Sequence, residues 1–366
     1  MLGVLLALPL IGRLLIFRPL ATWAGRYVTA WIPVAALLIA AAVLSFIGYY
    51  SDQMVLSIAS WSLVCLLANA CTPLMDAAIL SVSPPEMAAA WLGKAKGAGS
   101  LAYLLAVSGI GACLSWAGSS AILLWSGISA LITAAWVHFL VVPASPADLD
   151  QRAGVAETIR DPLTGPGAPT GRLVLAILAA TLVEASHGLH SIAMVNWHER
   201  GFAPQLNGVL WATGTLCDIL FLWGAGAWRR RLGPSRLLII GATAATVRWI
   251  GFAAAPPLAL VFALQALHAL SFTATYLASV EITQALAKRS RLGSQIATWA
   301  LSTGLAGSFS VIIAAPIYGA IGAAGYWIMA TIAFTGLLAA LQFHRTSSSA
   351  WAPQRTSEPQ MPAFAT

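Results

Sequence analysis

Apolar runs of about one bilayer crossing alternate along the chain with short breaks rich in charge, glycine or proline. A helix that spans the hydrocarbon core takes about 20 such residues, and a charged or Gly/Pro-rich break marks where it turns back. Read this way, the chain predicts eleven spans: 2–17, 30–50, 54–80, 98–117, 119–142, 172–196, 205–227, 236–254, 257–285, 293–320 and 325–343. The first run has neither a basic leader nor a small-residue cleavage site and continues into Arg13, Arg18 and a further span. It is read as a span and not as a secretory signal.

Composition names the solvent. Of 366 residues, 59% are hydrophobic and only 8% are charged, against about 25% charged in an ordinary soluble domain. A water-soluble surface cannot be built from so few polar side chains, so the predicted fold class is an all-α polytopic membrane protein. The mean hydropathy of +0.82 agrees. All four cysteines (Cys65, Cys71, Cys113, Cys217) lie within apolar runs without a metal-ligand spacing and read as core residues.

The net charge of +7 matters less than where the bases fall. With alternate loops on opposite sides, one side collects 16 bases: Arg18, Arg26, Lys94, Lys96, Arg152, Arg160, Arg172, Arg229, Arg230, Arg231, Arg236, Lys288, Arg289, Arg291, Arg345 and Arg355. The other collects only Arg200, and Arg13 and Arg248 remain inside spans. By the positive-inside rule the basic side is cytoplasmic. The expected setting is the plasma membrane, with the C-terminus inside and, for eleven spans, the N-terminus outside. Lipid and a small solute are the expected partners, nucleic acid is not, and a monomer is expected.

The longest break, 143–171, is rich in Pro, Gly, Asp and Thr and reads as a cytoplasmic linker. It divides a five-span bundle (1–142) from a six-span bundle (172–345). The tail 346–366 has no apolar period and reads as disordered.

Ionisable groups at membrane depth are costly and therefore informative. They are Arg13, Asp76, Glu184, His187, His190, Asp218, Arg248, His268 and, near a span end, Glu281. Asp218 and Arg248 sit mid-span on consecutive antiparallel helices, and a charge pair is the natural reading. Such a pair either fixes helix packing or lets a substrate group compete for the planar Arg248 fork. Gln265, His268 and Ser271 follow at steps of three and share a helix face. Glu184, His187 and His190 do the same, with Asn196 and Trp197 beyond them, and either carry a proton or bond helix to helix. No converging set of three or four metal ligands is evident. Asp76, three residues after Pro73, and Arg13 read as gating or packing residues. The segment LGKAKGAGS has the wrong order for a phosphate loop and reads as a cytoplasmic turn. Trp211 and Trp249 are deep candidates for stacking on an aromatic or sugar ring. No nucleophile motif appears, so no enzyme activity is expected.

In order, SHGLHSIAMVNWHERGF, GVLWATGTLCDILF, RRRLGPSRLLIIGATAATVRWIG, LQALHALSFT and GSQIATWALSTGLAGSFS resemble the phenylpropionate-permease branch of the major facilitator superfamily, related to lactose permease. The likeness covers about 150 residues. LPLIGRLLIFRPLATWAGR, PLMDAAIL and LGKAKGAGSLAY are similar to the family's second, fourth and fifth helices, so the chain is expected to begin at family helix two. The resemblance implies two bundles that rock about a midplane site. It places Asp218 and Arg248 on the acid and base of helices eight and nine, and His268 on the histidine of helix ten, positions that bind substrate and couple protons in lactose permease. Ser271 stands where lactose permease has its proton-carrying glutamate, and Tyr276 where a histidine is frequent in the phenylpropionate branch. Coupling would then fall to Asp218 or Glu184. The expected activity is proton symport of a small organic solute, by resemblance an aromatic carboxylate, bound by Arg248, His268, Gln265, Trp211, Trp249 and Asn196. It needs no cofactor beyond the proton gradient. A sugar or nucleoside symporter is the alternative within transport, and a non-transporting sensor or truncated permease the alternative outside it.

Overall fold

The computed structural model describes residues 31–82, 88–118, 120–140, 171–195, 205–286 and 310–347, with Gly12, Trp23 and Gly307. These residues form helices and turns, with no strand among them. The first set is α1 (Trp31–Tyr49), α2 (Met54–Val82), α3 (Ala88–Ala117) and α4 (Ala121–Leu140). The second is α5 (Gly171–Ala185), α6 (Gly188–Val195), α7 (Gln205–Leu232), α8 (Pro234–Ala253), α9 (Leu258–Ala266), a π-helical turn (Ala269–Ala274), α10 (Thr275–Leu286), α11 (310–321) and α12 (Tyr326–Ser347).

Eight segments among the described residues are long and apolar enough to cross a membrane. Spans 2–17 and most of 293–320 lie outside the described residues, as do the linker up to residue 170 and the tail from 348. The eleven-span count therefore goes beyond the helices seen here. Large apolar side chains such as Ile39, Val43, Ile132, Leu220, Phe334 and Leu338 are exposed on the outer faces, as a lipid solvent requires. Many hydroxyls on these helices are satisfied locally, although Ser45 Oγ and Thr181 Oγ1 are buried without a hydrogen-bond partner among the described residues. Ser62, Ser126, Thr133, Thr213, Thr331 and Thr335 each donate to the carbonyl four residues back, which removes the cost of an unpaired donor in hydrocarbon.

Three local departures from straight helix position the site. The predicted span 172–196 is interrupted at Ser186–His187. There Ser186 Oγ donates to the Val183 carbonyl (2.6 Å) and accepts from Trp249 Nε1 (2.8 Å), while Ser310 Oγ caps the Ala185 carbonyl. Next, Gly233 takes φ 70° ahead of Pro234, closing the tight turn from α7 into α8. Last, the span 257–285 contains the π turn just after His268. That turn lies close against α8 at Gly241, where a Cβ would strike Thr275 Oγ1 and stand 3.1 Å from the Leu270 carbonyl. The second set buries two cores, one around Leu173, Leu238, Leu277 and Phe343, the other around Leu189, Trp249, Phe252 and Tyr326.

Candidate functional site

A cavity of about 460 Å³ lies between the two sets of helices, with α2 and α3 on one side and α7, α8 and α9 on the other. Its size falls within the range of about 300–1,000 Å³ usual for small-molecule sites.

On the first wall Lys96 Nζ pairs with Asp76 Oδ1 at 2.7 Å. Asp76 is buried, and the Lys96 side chain keeps 27% of its surface open. The sequence reading put Lys96 in a cytoplasmic loop. It lies instead in the third turn of α3, which begins ten residues earlier than the predicted span. Lys96, Gly99, Ser100 and Tyr103 line the cavity together, and their spacing of three and four was the signal that could have found them. Asp76 pairs with Lys96, while Arg13 lies outside the described residues.

The second wall is built around Arg248, 1% exposed. Its Nη2 donates to Gln265 Oε1 at 2.6 Å and stands 3.3 Å from His190 Nε2; its Nη1 donates to His268 Nδ1 at 3.0 Å and lies 3.5 Å from Ser271 Oγ. The guanidinium carbon lies 4.5 Å from the Trp249 ring centroid, a cation–π arrangement that offsets part of its desolvation. Since His268 Nδ1 accepts from Arg248, its hydrogen sits on Nε2, facing Asp218 Oδ2 at 3.4 Å. Asp218 also accepts from Thr273 Oγ1 at 2.8 Å. Asp218 and Arg248 are thus joined through His268, whose imidazole stands between them just ahead of the π turn.

The other sequence candidates divide. Asp218, Trp211, Arg248, Gln265 and His268 line the cavity. Trp249 is fully buried and stacks on Tyr326 (5.8 Å, 16°), so it backs Arg248 instead of forming a cavity wall. His187 donates Nδ1–H to the Val183 carbonyl (2.8 Å) and accepts from Ser271 Oγ (3.3 Å), behind the wall. His190 Nδ1 meets Tyr326 Oη at 2.9 Å. Glu184, in the last turn of α5, is off the cavity wall. Asn196 lies outside the described residues.

A balanced set of charges thus faces a cavity between two helix groups. Residues 3–329 match the profile described as the MFS_1 like family. The chain belongs to the MFS_1-like family. This places it among transporters of the major facilitator superfamily, not among enzymes. This MFS_1-like protein is 23% identical over 157 residues to a probable 3-phenylpropionic acid transporter of Escherichia coli (strain K12). That likeness covers 43% of this chain and 41% of the transporter, about two fifths of its length. The proton:xylose symporter XylE bound to 6-bromo-6-deoxy-D-glucose shares the fold at TM-score 0.67 and 17% identity, over 94% of this chain and 85% of that one. The human organic anion transporter MFSD10 does so at 0.69 and 16%, over 92% and 83%. A bacterial homologue of ferroportin in an outward-facing state gives 0.63 and 15%, over 94% and 89%.

Proposed function

We propose that this MFS_1-like protein is a multi-pass permease of the plasma membrane that moves a small aromatic carboxylate together with a proton. The observation that carries the reading is the inequality of the two cavity cations. Arg248 is buried and already bonded to Gln265 and His268, whereas Lys96 pairs with Asp76, stands over the Tyr276 ring and is open to the cavity. An incoming carboxylate meets Lys96 first, and Tyr103 and Trp211 offer aromatic surface to its ring. Arg248 then serves to hold His268 in the tautomer that faces Asp218. A proton taken by Asp218 on Oδ1 can be donated to Thr273 Oγ1 while Oδ2 keeps accepting from His268 Nε2–H, so the Asp218–His268 unit is the coupling element of choice. The base distribution puts the ends of α2, α7 and α10 at the cytoplasmic face.

Uptake of labelled 3-phenylpropionate into membrane vesicles under an imposed proton gradient tests this reading. Accumulation is expected to depend on the gradient, to be competed by related aromatic acids and not by sugars, and to fall at least about tenfold in Lys96→Gln, the worth of one charge-assisted bond. Asp218→Asn is expected to abolish gradient-driven accumulation while leaving exchange of labelled for unlabelled solute.

A second reading has its own observation. Asp76 matches Lys96, and Asp218 and His268 match Arg248, so the cavity can also hold a neutral polyol by paired donors and acceptors, and the xylose symporter shares the fold. Competition by xylose and not by phenylpropionate would favour it. Absence of any uptake would favour a non-transporting membrane sensor.

A further inference from the structure

The Lys96–Asp76 pair does not end within the first set of helices. Tyr276 of α10 donates its hydroxyl hydrogen to Asp76 Oδ2 at 2.9 Å, and Lys96 Nζ stands 5.3 Å from the centroid of the same ring. One side chain from the second set therefore engages both members of an ion pair held by the first. Beside Lys96, a Cβ on Gly97 would lie 2.7 Å from Trp223 Nε1 and 3.4 Å from Leu222 Cβ of α7, so α3 and α7 meet there with no room to spare. At Gly99, on the cavity, a Cβ would meet nothing within 4 Å.

These contacts share one end of the molecule. Asp76 is six residues from the end of α2, Lys96 eight from the start of α3, Trp223 nine from the end of α7 and Tyr276 ten from the end of α10. At 1.5 Å per residue they stand about 9–15 Å inside the termini that lead into the basic loops. His268 and Asp218 lie farther in, at cavity depth. The polar contact and the glycine contact thus stand at the end of the cavity nearer the basic face, where Asp76 and Lys96 form part of its lining.

We propose that Tyr276, Asp76 and Lys96 form a latch that holds the basic end of the two bundles closed, and that a carboxylate solute opens it by drawing Lys96 away from Asp76. The second half rests on the carboxylate reading above. The physical step is a change of partner. Lys96 has three donors on a flexible stem, and a solute carboxylate within the cavity can take the one now given to Asp76. Asp76 is then a buried carboxylate that has lost its counter-charge, and it keeps its charge only by reaching water or another donor. One hydroxyl does not replace the lost ammonium, so Asp76 turns toward water and leaves Tyr276, or takes a proton and holds Tyr276 only as a neutral acceptor does. The Lys96 contact with the Tyr276 ring goes as well. Occupancy of the cavity and closure of its basic end are thereby tied through one lysine.

The test is a spin-label distance across the closed end in the full chain, with Cys65, Cys71, Cys113 and Cys217 replaced by alanine and labels at Ala90→Cys on α3 and Arg231→Cys on α7. Gly97→Val, whose side chain collides with Trp223, supplies the reference for an opened end. Tyr276→Phe keeps the ring and removes only the hydroxyl. It is expected to raise the long-distance population about tenfold, the equilibrium worth of one hydrogen bond to a charged group. Asp76→Asn provides the same reading should Tyr276→Phe fail to fold. A short distance retained in Tyr276→Phe and Asp76→Asn while Gly97→Val lengthens it overturns the latch, and a short distance retained in all three overturns the closed end itself. Added 3-phenylpropionate is expected to lengthen the distance in the otherwise native background and not in Lys96→Gln. Transport is read separately by vesicle uptake. Opening by Tyr276→Phe without uptake removes the carboxylate-transport reading and keeps the latch; uptake with no effect of 3-phenylpropionate on the distance removes the solute-driven half.

Discussion

At the scale of single residues, Arg248 and Lys96 show that a buried charge and an available charge have different uses. Arg248 spends its planar fork on Gln265 and His268 in two directions at once. A lysine carries a compact point charge and cannot reproduce that geometry. Arg248→Lys is therefore expected to leave His268 without its fixed tautomer and to lower uptake about tenfold or more, with the fall in the maximal rate and not in the apparent affinity. Initial-rate uptake across a range of solute concentrations reads the split. The polar stripe was legible at this scale: steps of three put Gln265, His268 and Ser271 on one face, and all three side chains surround Arg248. Lys96 was not legible, because a base among glycines at the edge of an apolar run has the local signature of a turn. Only the packing of α2 against α3 supplies Asp76 as the partner that lets the lysine stay at membrane depth.

At the scale of elements, the informative features are interruptions. The break between α5 and α6 works because Gly188 allows Ser310 to approach; a Cβ there would collide with the Ser310 side chain and stand 2.7 Å from its backbone carbonyl carbon. Backbone cannot rotate away as a long side chain can, so Gly188→Val is expected to cost about 1–3 kcal/mol. A lower midpoint of heat-induced loss of the monodisperse peak in size-exclusion chromatography would register this. The effect should be structural, lowering the yield of folded protein before it alters coupling. Neither this break nor the π turn at Ala269–Ala274 was readable in advance. Gly188 has the same appearance as a glycine that merely allows close packing, and ALSFTA contains nothing that disfavours an ordinary α-helix. Both depend on what lies opposite: Ser310 and Trp249 at the break, Gly241 of α8 at the π turn.

At the scale of the whole molecule, the scarcity of charge was enough to name lipid as the solvent, and the spacing of apolar runs located the helices that the structure describes. The cavity was less accessible to that reasoning, since it is made by two helix groups far apart in sequence and neither group contains it alone. Its content has an electrical consequence. Two bases face it, Lys96 and Arg248, and two acids, Asp76 and Asp218, so the protein contributes no net charge to whatever crosses. A solute anion that travels with one proton would then carry no current. Uptake should follow the difference in proton concentration across the membrane and ignore its voltage. Clamping vesicles at opposite potentials with a potassium ionophore, at constant pH difference, should leave accumulation of 3-phenylpropionate unchanged, whereas Asp76→Asn, which removes one acid from that balance, should make it respond to voltage.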